Sequence, residues 1–379
     1  MSRIEYDKEA FLKELLGIPS VNGADSERNI AVFIRDYLVS CGLAASLQEI
    51  DSRHANVVAV LEGETQETVV WNGHLDTVPY GKREEWDTDP SAPVKKDGRY
   101  YARGASDMKA GLAGLVWTLG NMKRQGHVPR QTIYFCATCD EEKGGLGARY
   151  LLTSKFLERR PSLLLIGEPT GCMPGIVQKG CIWLKFILHG RTSHGAYPQN
   201  GVNALEYGID IFQRLKERIQ KYTNDILGHS TAQISMAKGG IAPNMTPDEA
   251  EFVVDIRTVP GLTIEMILEW CGELIETCQK KTEGILRVKM RVENSRRVVA
   301  IEEDNEWLHR LEAELQQEGI EPKRTGIHFF TDASVLTEDM PQLPVLLFGP
   351  GEASMAHRPN EYVELKKYFT FISILNKLF

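Results

Sequence analysis

Four short apolar runs, each closed by a turn, limit what this chain can fold into: "NVVAVLEG", "TVVWNGH", "TIYFCAT" and "SLLLIGE". They are too short for buried helices and too uniformly apolar for a sheet with one wet face. Segments of helical spacing alternate with them. In "DMKAGLAGLVWTLGNMKRQG", Leu112, Leu115, Val116, Leu119 and Met122 form one stripe, and Gly126 is placed to cap the helix. "EAFLKELLGI" and "ERNIAVFIRDYLVSCG" read the same way. The alternation predicts an α/β fold with a mostly parallel sheet covered on both faces.

From residue 176 to residue 292 the pattern changes. "CIWLKFILHG" alternates Ile182, Leu184, Phe186 and Leu188, and "AEFVVDIRTV" puts Phe252, Val254 and Ile256 on one face. With "AQISMAKGG", "LRVKMRVEN" and two helical stretches, the order reads β-α-β-β-α-β, a ferredoxin-like α+β layer with its own core. After it, "NEWLHRLEAELQQEG", "LPVLLFGPG" and "YFTFISILNKLF" return to alternating helices and buried strands. The expected organisation is a discontinuous first domain, 1–175 and 293–379, interrupted by an inserted domain, 176–292.

Composition narrows the partners. Forty-four Lys and Arg stand against fifty-two Asp and Glu, a net charge of -8, which argues against nucleic acid or an anionic membrane surface. The charged opening, "MSRIEYDKEAFLKELLGI", has no apolar core of a secretory signal, and no run of about 18 apolar residues predicts a membrane span. Seven cysteines, an odd number, fit reduced thiols and a cytoplasmic location. Cys136 and Cys139 form a single C-x-x-C inside an apolar run and read as core residues.

The polar residues that end the runs carry the chemistry. In open α/β sheets, ligands bind at the carboxyl ends of the strands. Here those ends hold His74, the acidic group Asp140, Glu141 and Glu142, and Glu168, with His357 after a further run and Asp107 just before a helix. Each has an ordinary explanation: Asp107 as a helix N-cap, Glu168 as a loop acid, His357 as a loop histidine packed on Pro359. Together, two histidines and several carboxylates suit zinc, cobalt or manganese. A two-ion site needs a carboxylate bridging ions ~3.5–4 Å apart, and Asp107 is placed to bridge. His74 and Asp76 share one side of an extended chain, so Asp76 can accept the second ring N–H of His74. Adjacent Glu141 and Glu142 point apart on extended chain, so Glu142 can ligate while Glu141 faces the attacking water as general base.

These residues lie in motifs that resemble a known family. "GHLDTVP", "DGRYYARGASDMKAGLAGL", "DEEKGGLGARYL", "GEPTG", "GRTSHGAYPQNGVNAL" and "HRPNEYVEL" look like the co-catalytic zinc peptidases and deacylases. That family includes acetylornithine deacetylase, succinyl-diaminopimelate desuccinylase, aminoacylase and glutamate carboxypeptidase. The resemblance covers essentially the whole chain. It implies two zinc ions, replaceable by cobalt or manganese, one on His74, Asp107 and Glu168 and one on Asp107, Glu142 and His357. It implies Glu141 as general base, Asp76 as the orienting acid, and a homodimer made through the inserted domain. His194 resembles the histidine that enters the partner's site to stabilise an oxyanion; by residue type alone it is a loop histidine. Asn244, Arg257 and Thr331 resemble positions that meet substrate, with a surface salt bridge as the alternative for Arg257. One loop departs from the desuccinylase pattern: "TGIHFFTDAS" carries Phe329 and Phe330 where small residues stand.

The function expected from all this is removal of an N-acyl group, acetyl or succinyl, from an amino acid. The alternatives are a di- or carboxypeptidase of the same family, or a non-catalytic metal-binding protein on the same fold.

Overall fold

The computed structural model describes residues 7–154, 156–157 and 159–379, and the chain divides into two units. The first comprises Met1–Ile176, Ala300–Gly326 and Thr331–Phe379; the second Val177–Val299 and Ile327–Phe330. The last strand of the inserted segment runs to Arg296, past the expected limit at 292. The short stretch Ile327–Phe330 also groups with the second unit.

Six strands of the first unit lie side by side in the order Ala45–Glu49, Ala55–Leu61, Thr132–Thr138, Thr68–His74, Leu163–Ile166, Val345–Leu347. The last four are mutually parallel; the first two are added at one edge by antiparallel pairing. Strands Thr68–His74 and Thr132–Thr138 are buried at all seven positions each, which explains their largely apolar sequence; the interior exception, Asn72, donates to Thr138 Oγ1 at 3.0 Å. Their pairing persists to the end, His74 opposite Thr138. Helix Lys109–Gln125 makes the crossover between them and ends at Gly126, whose φ of +70° is the left-handed cap its sequence suggests.

That helix is buried nearly all round, not only along its apolar stripe. Gly111 shows why. A Cβ there would lie 1.8 Å from the carbonyl oxygen of Gly167, so only hydrogen lets the helix meet the backbone just before Glu168. The C-x-x-C cysteines are core residues: both are fully buried, and burial pushes the Cys136 thiol up to about 12, far from a reactive thiolate. Among the described residues, no helix is long and apolar enough to cross a membrane.

The second unit is a four-stranded antiparallel sheet in the order Thr231–Gly239, Glu249–Thr258, Gly180–His189, Arg287–Arg296. Helices Ala204–Ile219 and Ile264–Lys281 pack on it, capped by Asn203 and Thr263. Register sets its core: Phe252 stands opposite Phe186, with rings stacked 4.9 Å apart, and Val254 opposite Leu184.

Two glycines test this account. Gly111→Ala should destabilise the protein by about 1–3 kcal/mol, because the methyl group meets fixed backbone. Gly272→Ala, in an exposed helical position with nothing within 4 Å, should stabilise it by ~0.5–1 kcal/mol. Urea midpoints of the two variants should move in opposite directions.

Candidate metal centre

The four parallel strands deliver their carboxyl ends to one place. His74 is the last residue of its strand, Glu168 follows Leu163–Ile166 by two residues, and His357 lies in the loop after Val345–Leu347. Thr132–Thr138 runs into a turn that carries Asp140, Glu141 and Glu142. Asp107 arrives from the loop before helix Lys109–Gln125, where Met108 occupies the N-cap position and Asp107 is left for other contacts.

Asp107 stands between the two histidines. Its Oδ1 is 3.1 Å from His74 Nε2, and its Oδ2 is 3.5 Å from His357 Nε2. Glu142 Oε2 is 3.0 Å from the same His357 nitrogen. His74, Asp107 and Glu142 each offer a ligand atom, all within 4.8 Å of one another. His74, Asp107, Glu141 and Glu168 are buried, while His357 is half exposed and opens the site to solvent.

The acids of the site resist ionisation. Burial drives Glu141 and Glu168 well above the ordinary carboxylate range; neighbouring acids push the same way, and His74 opposes them. Glu142 is raised for the same first reason. Burial works against a charged His74, yet the bond to Asp107 and the charges of Glu141 and Glu168 outweigh it and hold its pKa well above the usual imidazole value. Glu168 Oε2 and Glu141 Oε1 are buried with no hydrogen-bond partner among the described residues. Orphaned carboxylate oxygens beside a clustered His, Asp and Glu group are a fitting donor set for divalent transition-metal ions.

The role read for Asp76 from spacing falls to its backbone. His74 Nδ1 lies 2.9 Å from the Asp76 carbonyl oxygen, with the Asp76 carboxylate 3.6 Å off. The carboxylate instead accepts the backbone N–H groups of Glu141 and Glu142, at 3.1 Å each. The two glutamates sit on a turn rather than on extended chain, with Asp140 at φ +59°, and its buried amides need an acceptor.

Three supporting residues escape a reading by residue type. Glu361 is wholly buried, paired with Arg103 and accepting from the N–H groups of Gly104, Ser106 and Asp107, so it holds the Asp107 loop. Its place in "HRPNEYVEL" is a usable signal. Asp332 is buried, accepts from Thr138 Oγ1 at 2.5 Å, and adds its charge to the field on Glu141 and Glu168. Asn22 donates to Asp76. The sequence around it reads as an ordinary turn.

The remaining candidates make contacts of their own. Thr331 is buried, and its Oγ1 accepts the Ala333 N–H. In the second unit, His194 and Asn244 come together: the Gly195 N–H donates to the Asn244 carbonyl at 2.7 Å, and both side chains are exposed. Arg257 makes a two-pronged pair with Asp255 at 2.8 and 3.1 Å and lies 5.9 Å from the Phe330 ring centre.

Known proteins share this architecture. Residues 70–379 match the model of peptidase family M20/M25/M40. The chain is 25% identical to a probable succinyl-diaminopimelate desuccinylase of Staphylococcus aureus strain N315, over 98% of this chain and 97% of that one. It is 27% identical to an acetylornithine deacetylase of Aliivibrio salmonicida, over 97% and 96%. A crystal structure of a tripeptidase from Staphylococcus aureus Mu50 superposes with a TM-score of 0.79 at 21% identity, over 98% and 97%. The chain thus belongs to peptidase family M20/M25/M40 and is a hydrolase of amide bonds.

Proposed function

We propose that the protein removes a short acyl group from the nitrogen of an amino acid, using two divalent ions, zinc foremost, with cobalt or manganese able to replace it. The observation that carries this reading is the Asp107 carboxylate, which turns one oxygen to each of two histidines. His74, Asp107 and Glu168 would hold one ion; Asp107, Glu142 and His357 the other. Bound there, such ions polarise a carbonyl oxygen and acidify water.

The chain's own residues supply the rest. Glu141 accepts a proton from the attacking water as its oxygen bonds to the amide carbon. When the carbon–nitrogen bond breaks, Glu141 passes that proton to the leaving amine. Its burial raises its proton affinity, which suits it to hold the proton between the two steps. Asp76 fixes the Glu141 backbone. His194, from a second copy of the chain, would donate to the oxyanion; its Nδ1 is engaged by the Ala196 N–H at 3.1 Å, leaving Nε2 as the donor. The exposed edge strand Thr231–Gly239, with Met236 68% exposed, supports a homodimer through the second unit.

A carboxylate-bearing substrate is supported by cations gathered in the second unit. Arg257 and Arg296 lie 5.9 and 5.5 Å from the Phe330 ring centre, and burial together with the Arg257 charge holds Lys179 below the ordinary lysine value. With Asn244 and Thr331, Arg257 makes up the proposed substrate contacts. The desuccinylase and deacetylase relatives favour N-acyl amino acids; the tripeptidase neighbour makes short peptides the second reading. Seven cysteines without a disulfide among the described residues support a cytoplasmic setting.

Three measurements test this. Zinc- or cobalt-loaded protein should release free amine from N-acetyl- or N-succinyl-amino acids. Activity should vanish with chelator and fall by about 10²–10⁴-fold in Glu141→Gln; turnover of dipeptides alone would move the protein to the peptidase reading. In metal titrations, Asp107→Ala should lose both ions and His357→Ala one; equal occupancy in all three proteins would refute the bridge. Inactive His194→Ala and Glu141→Ala chains, mixed under verified subunit exchange, should regain activity; no rescue would remove His194 from the partner's site.

A further inference from the structure

We propose that Asn22 is the positioning residue of the general base: its side-chain amide ties Asp76 to Asp140 and so fixes the turn that carries Glu141. The inference rests on Glu141 being the general base of the proposed reaction. Asn22 Nδ2 lies 2.9 Å from Asp76 Oδ2 and 2.9 Å from Asp140 Oδ1. An amide nitrogen has two protons and no acceptor capacity, so each carboxylate receives one.

Both partners grip the turn. Asp76 accepts the N–H groups of Glu141 and Glu142, one on each oxygen. Asp140, in the left-handed region, accepts the Leu146 N–H on its other oxygen at 3.3 Å and gives its own N–H to Glu27 at 2.8 Å. Asn22 is itself held by backbone: its N–H donates to Thr77 O at 2.8 Å, and the Thr77 N–H returns to Ser20 O at 3.0 Å. The amide is therefore a neutral clasp between two acids that would otherwise repel across the base of the turn.

Asn22→Asp tests this, because it keeps the shape and replaces the donor with a third acid. A packing role predicts a harmless change; the clasp predicts the slowest variant, with kcat falling in the order Asn, Ser, Ala, Asp. Asn22→Ala should lower kcat by about 10–100-fold with KM within about twofold, as for a misplaced base. It should keep the metal stoichiometry of the unmodified protein. Amide hydrogen exchange across 138–146 should quicken in Asn22→Ala, a readout that needs no substrate. The double variant Asn22→Ala with Glu141→Gln should be no slower than Glu141→Gln alone.

Full activity in Asn22→Asp, unchanged exchange in Asn22→Ala, or multiplying effects in the double variant would overturn the proposal. If Asn22→Asp does not fold, Asn22→Ser decides: unchanged kcat and exchange overturn it. Full activity in Glu141→Gln would sink the general-base reading itself. An impaired Glu141→Gln beside a fully active Asn22→Asp would sink only the clasp.

Discussion

Repulsion among buried acids governs this structure. Asp107, Glu141, Glu142, Glu168 and Asp332 are gathered around one buried histidine, and the charges of their neighbours add to burial in raising the cost of ionising Glu141, Glu142 and Glu168. No apolar core tolerates such a group without compensation. Here the compensation comes in layers. Backbone N–H groups meet Asp76 and Glu361, Arg103 neutralises Glu361, and Asn22 separates Asp76 from Asp140. What those layers leave unmet is Glu141 Oε1 and Glu168 Oε2, beside a His74, Asp107 and Glu142 group whose ligand atoms lie close enough together to hold a cation.

The scaffold beneath this concentration of charge is apolar and closely packed, which raises the cost of burying it and leaves the compensation to the groups at the rim. The strands under the site are buried along their whole length, and the helix that brings Asp107 reaches its place only because Gly111 permits contact with the Gly167 backbone. Charge at the rim and close packing below it are two sides of one arrangement. The strands keep polar side chains out of their middle apart from Asn72, whose amide is met by Cys136 O and Thr138 Oγ1, and place their charged residues at the end.

Most of this is legible from residues. Uniformly apolar runs imply a doubly covered sheet, and a sheet of that kind sends its loops to one rim; His74, Glu168 and the acidic turn follow from the two together. What is not legible depends on chain direction after the strand stops. Spacing puts the Asp76 carboxylate beside His74 by treating the chain as extended, yet the chain turns, so the carbonyl reaches the ring and the carboxylate serves the next strand's turn. Asn22 and Glu361 contact partners 54 and 255 residues away, and no local pattern announces such a pairing. Arg257 shows a different limit: alternation puts it off the core face, but its pairing with Asp255 is a matter of side-chain geometry.

The ladder between Thr68–His74 and Thr132–Thr138 stays in register to its final pair. The histidine and the turn bearing the two glutamates are therefore spaced by hydrogen bonds between neighbouring strands, not by the long crossover that joins them in sequence. Insertions and deletions in that crossover leave the spacing untouched, whereas one residue added inside either strand would turn a site residue to the opposite face. Length variation is thus free to accumulate in that crossover away from the Asp107 loop while His74 and the acidic turn stay in step.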